Sequence, residues 1–202
     1  MTIPTLMTKI QKSQTETKLK RAYAVINQAY RLSYDENGDM SSLDAMVSGM
    51  TSKDYFDVYW APYLRNALMC NTYSQCGYKS IMPFKYINGS LLDIAVVDSY
   101  ARVTFYTPDG FLYIVFLATG SKNGWVPNDL IYLDINGGAG PNIVGKDLFI
   151  FVRVANGGGV RPFGYNKNED AIKNDCSITG AGSYCAERIY RNGWVIDKDY
   201  PW

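Results

Sequence analysis

The segment Ile3-Pro4-Thr5-Leu6-Met7-Thr8-Lys9-Ile10 runs into Gln11-Lys12-Ser13-Gln14-Thr15-Glu16-Thr17-Lys18 and then into Leu19-Lys20-Arg21-Ala22-Tyr23-Ala24-Val25-Ile26-Asn27-Gln28-Ala29-Tyr30. On both flanks apolar residues recur at gaps of three and four, the helical period. Pro4 suits a first turn, where a missing N–H costs nothing. Residues 3–34 therefore read as one long helix. Its middle is polar on every side for two turns, so that part has no core beneath it. The second half packs on a globular domain. The first half projects, and Ile3, Met7 and Ile10 form a short apolar stripe directed at something outside this chain. Asp35-Glu36-Asn37-Gly38-Asp39 reads as the loop that follows, with Gly38 as the helix stop.

Working outward from that helix, Ser52 can cap a second one over residues 53–69, whose apolar face is Phe56, Tyr59, Trp60, Tyr63, Leu64 and Ala67. Pro62 kinks or breaks it. From residue 80 the period changes to two. Arg102–Tyr106 and Phe111–Leu117 flank Thr107-Pro108-Asp109-Gly110, a strong turn signal, and Leu130–Ile135 and Leu148–Val154 are two further strands. Short turns between neighbouring strands predict an antiparallel meander over about 100–155. Gly157-Gly158-Gly159 opens an irregular C-terminal region with a short helix near Ser183–Arg191. The expected fold class is α+β. A helix over 1–35 packs on a globular head over 36–202.

The chain has 202 residues, 47% hydrophobic and 19% charged, a globular balance sized for one domain with a substantial core. With a net charge of +1 it has no overall electrostatic reason to bind nucleic acid or anionic lipid. Lys18, Lys20 and Arg21 read as a solvated helix face. Histidine is absent, which removes the commonest general base and the commonest zinc ligand. No nucleophile constellation replaces it, so an enzyme is not expected. Gly157-Gly158-Gly159 lacks the spacing of a phosphate loop. Asp54 and Asp57, three apart on the second helix, read as ordinary surface charge. Seventeen tyrosines suit half-wet surfaces at subunit contacts or binding sites.

Four cysteines fall in two local pairs, Cys70 with Cys76 and Cys176 with Cys185. An even count in short-spaced pairs fits disulfides in an exported protein, and the spacing is wider than zinc sites use. Three connectivities are possible. The two local links are preferred, because closing short loops costs the least entropy. No run of 18 apolar residues that could span a membrane occurs, and no cleavable signal peptide is visible.

A long N-terminal helix that outruns its domain, an antiparallel sheet and a disulfide-closed C-terminal loop together resemble the type IV pilin and type II secretion pseudopilin architecture. Met1-Thr2-Ile3-Pro4-Thr5-Leu6 resembles the Ile-Pro step at which the hydrophobic pilin segment gives way to the rest of the helix. Lys18-Leu19-Lys20-Arg21-Ala22-Tyr23, Pro62-Tyr63-Leu64 ahead of Cys70, and Leu133-Asp134-Ile135-Asn136-Gly137 with Gly140-Pro141-Asn142 are similar to prepilin-type proteins. So is the ending Asn192-Gly193-Trp194 to Tyr200-Pro201-Trp202.

The resemblance implies a filament subunit of the bacterial envelope. Ile3, Pro4, Met7 and Ile10 would lie on the assembly helix. An apolar segment, not part of this sequence, would span the inner membrane before assembly and be cut and N-methylated by a prepilin peptidase. The partners would be other pilin-like subunits and an assembly platform, and the filament a periplasmic or cell-surface one. The Cys176–Cys185 loop would be presented on its surface. Some pseudopilins hold calcium in loops after the helix, which makes Asp134, Asn136 and Asp147 around the Gly-rich loop a candidate calcium set; a turn explains the same residues. No other cofactor is implied. The rival class is a secreted small binding or adhesin module, whose helix would be an ordinary core helix.

Overall fold

The computed structural model describes residues 3–38, 51–98, 102–117, 130–154 and 157–202, with side chains from Leu6 onward. Helix α1 spans Ile3–Asn37, three residues beyond the boundary read from the sequence. Gly38, at φ +80°, ends it and donates its N–H to the Tyr34 carbonyl at 2.9 Å. Thr15, Leu19, Ala22, Ile26, Ala29, Tyr30 and Ser33 are buried, an alternation of threes and fours that makes one continuous stripe. Leu6, Met7 and Ile10, upstream of it, are exposed. Only this tip is exposed: the polar midsection, expected to have no core beneath it, is covered in part, with Thr15 buried and Glu16 half-buried. Ile3 and Pro4 belong to the helix, but their side chains lie outside the described residues, as does Asp39; Asp35, Glu36 and Asn37, read as loop, are the last turn of the helix instead.

The second helical segment differs from the helix expected over 53–69. Helix α2 spans only Ser52–Tyr59. Its cap is Thr51 rather than Ser52. The Thr51 hydroxyl accepts the Asp54 N–H at 3.2 Å, and the Asp54 carboxylate accepts the Thr51 N–H at 3.0 Å. Pro62 cannot supply the N–H a continuing helix needs, so Ala61–Tyr63 tightens into a 3-10 turn. Asn66 at φ +54° then redirects the chain. Leu68–Met69, read as the helix end, is instead strand β1.

Five further strands follow: β2 (Arg102–Tyr106), β3 (Leu112–Phe116), β4 (Leu130–Asp134), β5 (Leu148–Val154) and β6 (Gly159–Pro162). They form one antiparallel sheet in chain order, with registers such as Thr104↔Ile114 and Tyr132↔Ile150. The expected meander is thus present and is longer by a strand at each edge. Gly159, expected in a loop, starts β6.

One face of the sheet presents Phe105, Tyr113, Val115, Leu133, Phe149 and Phe151 to α1, α2 and the short helix α4 (Cys185–Arg191). The other presents Leu112, Ile114, Tyr132, Leu148 and Ile150 to an irregular cover running from Cys70 to Val96, whose Tyr78, Phe84, Leu92 and Val96 are buried. Burial on both faces explains why the strands read as unbroken apolar runs rather than clean alternations. It also gives residues 80–97, read as the start of the period-two region, their place as cover rather than strand.

Helix α1 also closes the β6 edge. Asn27 Oδ1 accepts the Val160 N–H at 3.1 Å, and the Tyr23 hydroxyl donates to the Val160 carbonyl at 3.1 Å. An open edge would invite pairing with another chain; here helix side chains occupy both groups. Both local disulfides are present, Cys70–Cys76 and Cys176–Cys185. The second closes the connection between α3 (Glu169–Asp175) and α4.

Candidate assembly surface

The tip of α1 carries Leu6, Met7 and Ile10 at 50%, 57% and 49% exposure. Their direction is set by the helical rotation of about 100° per residue, which places them roughly 140° around the helix from the stripe that packs on the sheet. The two apolar sets are therefore not one stripe cut by a polar gap. One faces the domain and the other faces away from it. Leu6 was not singled out in the sequence, yet it sits one turn before Ile10 on the same outward face.

A C-terminal strap holds α1 in this position. Trp194 packs on Tyr23 with ring centroids 5.0 Å apart. One turn or more toward the tip, the Ile196 N–H donates to Glu16 at 2.7 Å, and Lys12 lies 5.9 Å from the Trp202 ring centroid. Tyr200 is buried and donates its hydroxyl to the Gly145 carbonyl. Arg188 anchors the strap to α4 through Asp197 at 2.8 Å and 3.0 Å and reaches the Cys176 carbonyl at 2.9 Å. The strap reaches Lys12, so the exposed tip begins where this support ends.

Between α1 and the connection from β4 to β5 lies a cleft of ≈ 370 Å³, lined among others by Gln14, Lys18, Asn136, Lys146 and Trp202. Gln11, Gln14, Thr15 and Lys18 of the polar turns thus form one wall of this cleft. The three candidate calcium residues lie at or beneath its floor. Asp134 is wholly buried and accepts the Tyr78 hydroxyl at 2.6 Å and the Asn136 N–H at 3.0 Å. Asp147 accepts the backbone N–H groups of Asn142 at 2.8 Å and Ile143 at 2.7 Å. Asn136 Nδ2 donates to the Gly140 carbonyl at 2.9 Å. These side chains fold the loop onto itself. Their carboxylate oxygens accept from amide and hydroxyl donors, the partners that the turn reading of the same residues requires. Among the described residues no group of three or more acidic or cysteine side chains converges as metal ligands would.

Burial raises the Asp134 carboxyl to about 7, against the opposing pull of the Tyr78 and Asn136 hydrogen bonds. The unfolded value is near 4. Between those values the folded state binds the extra proton. The stability this group contributes is therefore present at low pH and is lost as pH rises toward 7. Burial raises Asp147 in the same direction. The free energy of urea unfolding is expected to fall by about 2 kcal/mol between pH 5 and pH 8. Asp134→Asn is expected to flatten most of that slope, and an unchanged slope would mean that Asp134 does not titrate in this range.

The remaining sequence candidates resolve locally. Asp54 completes the α2 cap, and Asp57 pairs with Lys53 on the surface. Arg21 pairs with Asp109 of the β2–β3 turn at 2.9 Å. Among the described residues no helix is long and apolar enough to cross a membrane.

No curated protein and no solved structure matches the chain. A family model covers residues 5–202, from the exposed tip of α1 to the end of the strap, and the chain accordingly belongs to DUF6613, a family of unknown function.

Proposed function

We propose that the chain is the head and helix of a pilin-like filament subunit, a structural protein and not an enzyme. The observation that carries this reading is the outward apolar face of the α1 tip. An apolar stripe at the tip of a long helix, turned away from its own domain, is placed to bury itself against another molecule. A core helix in a binding module needs no such second face. The two disulfides support passage through an oxidising compartment, in keeping with a bacterial envelope location. In the full-length protein an apolar segment would continue α1 upstream, insert in the inner membrane and be processed by a prepilin peptidase.

One observation favours a second reading, a secreted binding or adhesin module. The cleft beside Trp202 combines an aromatic ring with amide and amine groups, a lining suited to a small polar ligand.

Sedimentation velocity separates the two readings. On the filament reading the exposed tip drives association as concentration rises; on the binding-module reading the chain remains monomeric. Monomer at every concentration up to the millimolar range would remove the support for a filament subunit.

A further inference from the structure

The side of α1 that packs on the domain changes character toward the tip. From Thr15 to Ser33 it is a buried stripe. Gln11, Gln14, Thr15 and Lys18 fall within roughly 100° of arc on that same side, and they meet the cleft instead of the sheet. A helix face turned toward its own domain is ordinarily apolar. Here two amides, a hydroxyl and an amine take that place, and they offer hydrogen bonds where packing would need methyl groups.

The rest of the lining is of the same kind. The β4–β5 connection contributes Lys146 and Asp147, and the strap contributes the half-buried ring of Trp202. Asp147 is buried, and its oxygens already accept the Asn142 and Ile143 N–H groups. Among the described residues neither Lys18 nor Lys146 forms an ion pair. Lys12, 5.9 Å from the centroid of the Trp202 ring, adds a third amine at that end. A chain with a net charge of only +1 thus gathers unpaired amines around one aromatic ring. Amines of this kind attract an anion. Amide side chains both donate and accept, as sugar hydroxyls do, and an indole ring has an apolar face against which the C–H groups of a pyranose can be buried. A volume of ≈ 370 Å³ is small for a ligand pocket and suits one or two sugar rings.

We propose that this cleft binds a carboxylated sugar, a uronic-acid unit of a glycan, with Lys18 and Lys146 at the carboxylate, Gln11 and Gln14 at the ring hydroxyls and Trp202 against the C–H face. The site lies apart from the outward apolar tip, so it does not depend on self-association. It rests on the binding-module reading of the cleft and gives that reading a ligand class.

Calorimetric titration of the full chain with trigalacturonate at low salt tests it, with neutral maltotriose and triaspartate as comparison probes. The expected result is saturable binding of trigalacturonate, about tenfold tighter than either comparison, the combined effect of two exposed ion pairs. Lys18→Gln alters an exposed side chain and leaves the fold intact; it should weaken that binding two- to fivefold, roughly the range of one exposed pair, whereas Lys18→Arg should retain it. Trp202→Ala should abolish saturation. Trigalacturonate binding that Lys18→Gln leaves unchanged would overturn the placement of the site. Maltotriose binding as tightly as trigalacturonate would overturn the acidic ligand and leave the cleft reading standing. Triaspartate binding as tightly would overturn the sugar. No saturable binding of any probe would overturn the proposal together with the cleft reading, while self-association of the tip is read separately by sedimentation.

Discussion

Replacing Leu6, Met7 and Ile10 together by serine is expected to weaken self-association by at least about a hundredfold while shifting the thermal midpoint by no more than about 2 °C. The two effects separate because the side chains are exposed in the isolated chain. Removing them takes nothing from the core, and surface changes of this kind usually stay within about 0.5 kcal/mol. In an assembled state each side chain would be buried, contributing about 1.5–3 kcal/mol when burial is complete. Three partial contributions are enough for the hundredfold loss. Sedimentation equilibrium reads the first quantity and differential scanning fluorimetry the second. If the triple variant associates as strongly as the wild type, the tip is not the contact. If it unfolds many degrees earlier, the tip is part of the fold.

Ile26→Ala, on the same helix, is expected to do the reverse. Ile26 is fully buried against the sheet, where the cavity left by a truncated aliphatic side chain costs about 2–5 kcal/mol. For a chain of this size that lowers the thermal midpoint by on the order of 10 °C. Ile10→Ala, sixteen residues upstream, removes the same atoms from an exposed site and should cost no more than about 0.5 kcal/mol. The comparison holds residue type and helix constant and varies only the facing. Equal destabilisation by the two substitutions would mean that the tip is packed on the domain in solution.

Much of this architecture is legible in the text of the chain. The helix, its polar midsection, the Thr107–Gly110 turn, the meander and both disulfide pairings follow from period, turn chemistry and loop closure. Three features are not, each for a physical reason. Leu68–Met69 fits the apolar period of the preceding helix, and only the break at Pro62 and the left-handed Asn66 show that the chain has turned to pair with β2. The cover from Cys70 to Val96 carries alternating apolar residues that look like strands, but it packs across the second face of the sheet and makes only isolated bridges, such as Lys85↔Leu91. Asp134 and Asp147 look like open oxygen ligands beside glycines. Their partners, the Tyr78 hydroxyl and the amides of Asn142 and Ile143, become visible only once the loop is folded. The outward facing of Leu6, Met7 and Ile10 was present in the numbering all along, since helical rotation alone separates them from the Leu19–Ser33 stripe. Gaps of three and four report a helix; the summed angle reports which side of it is used.

The measurement that bears most directly on a filament role is peptide mapping with intact mass analysis of the protein isolated from its native cells. The expected result is a mature chain in which about 20 apolar residues precede Ile3 and the N-terminal residue is methylated. A mature chain that begins near Met1, or one that continues upstream into a further polar domain, would contradict a pilin-like subunit and leave the cleft beside Trp202 as the site to pursue.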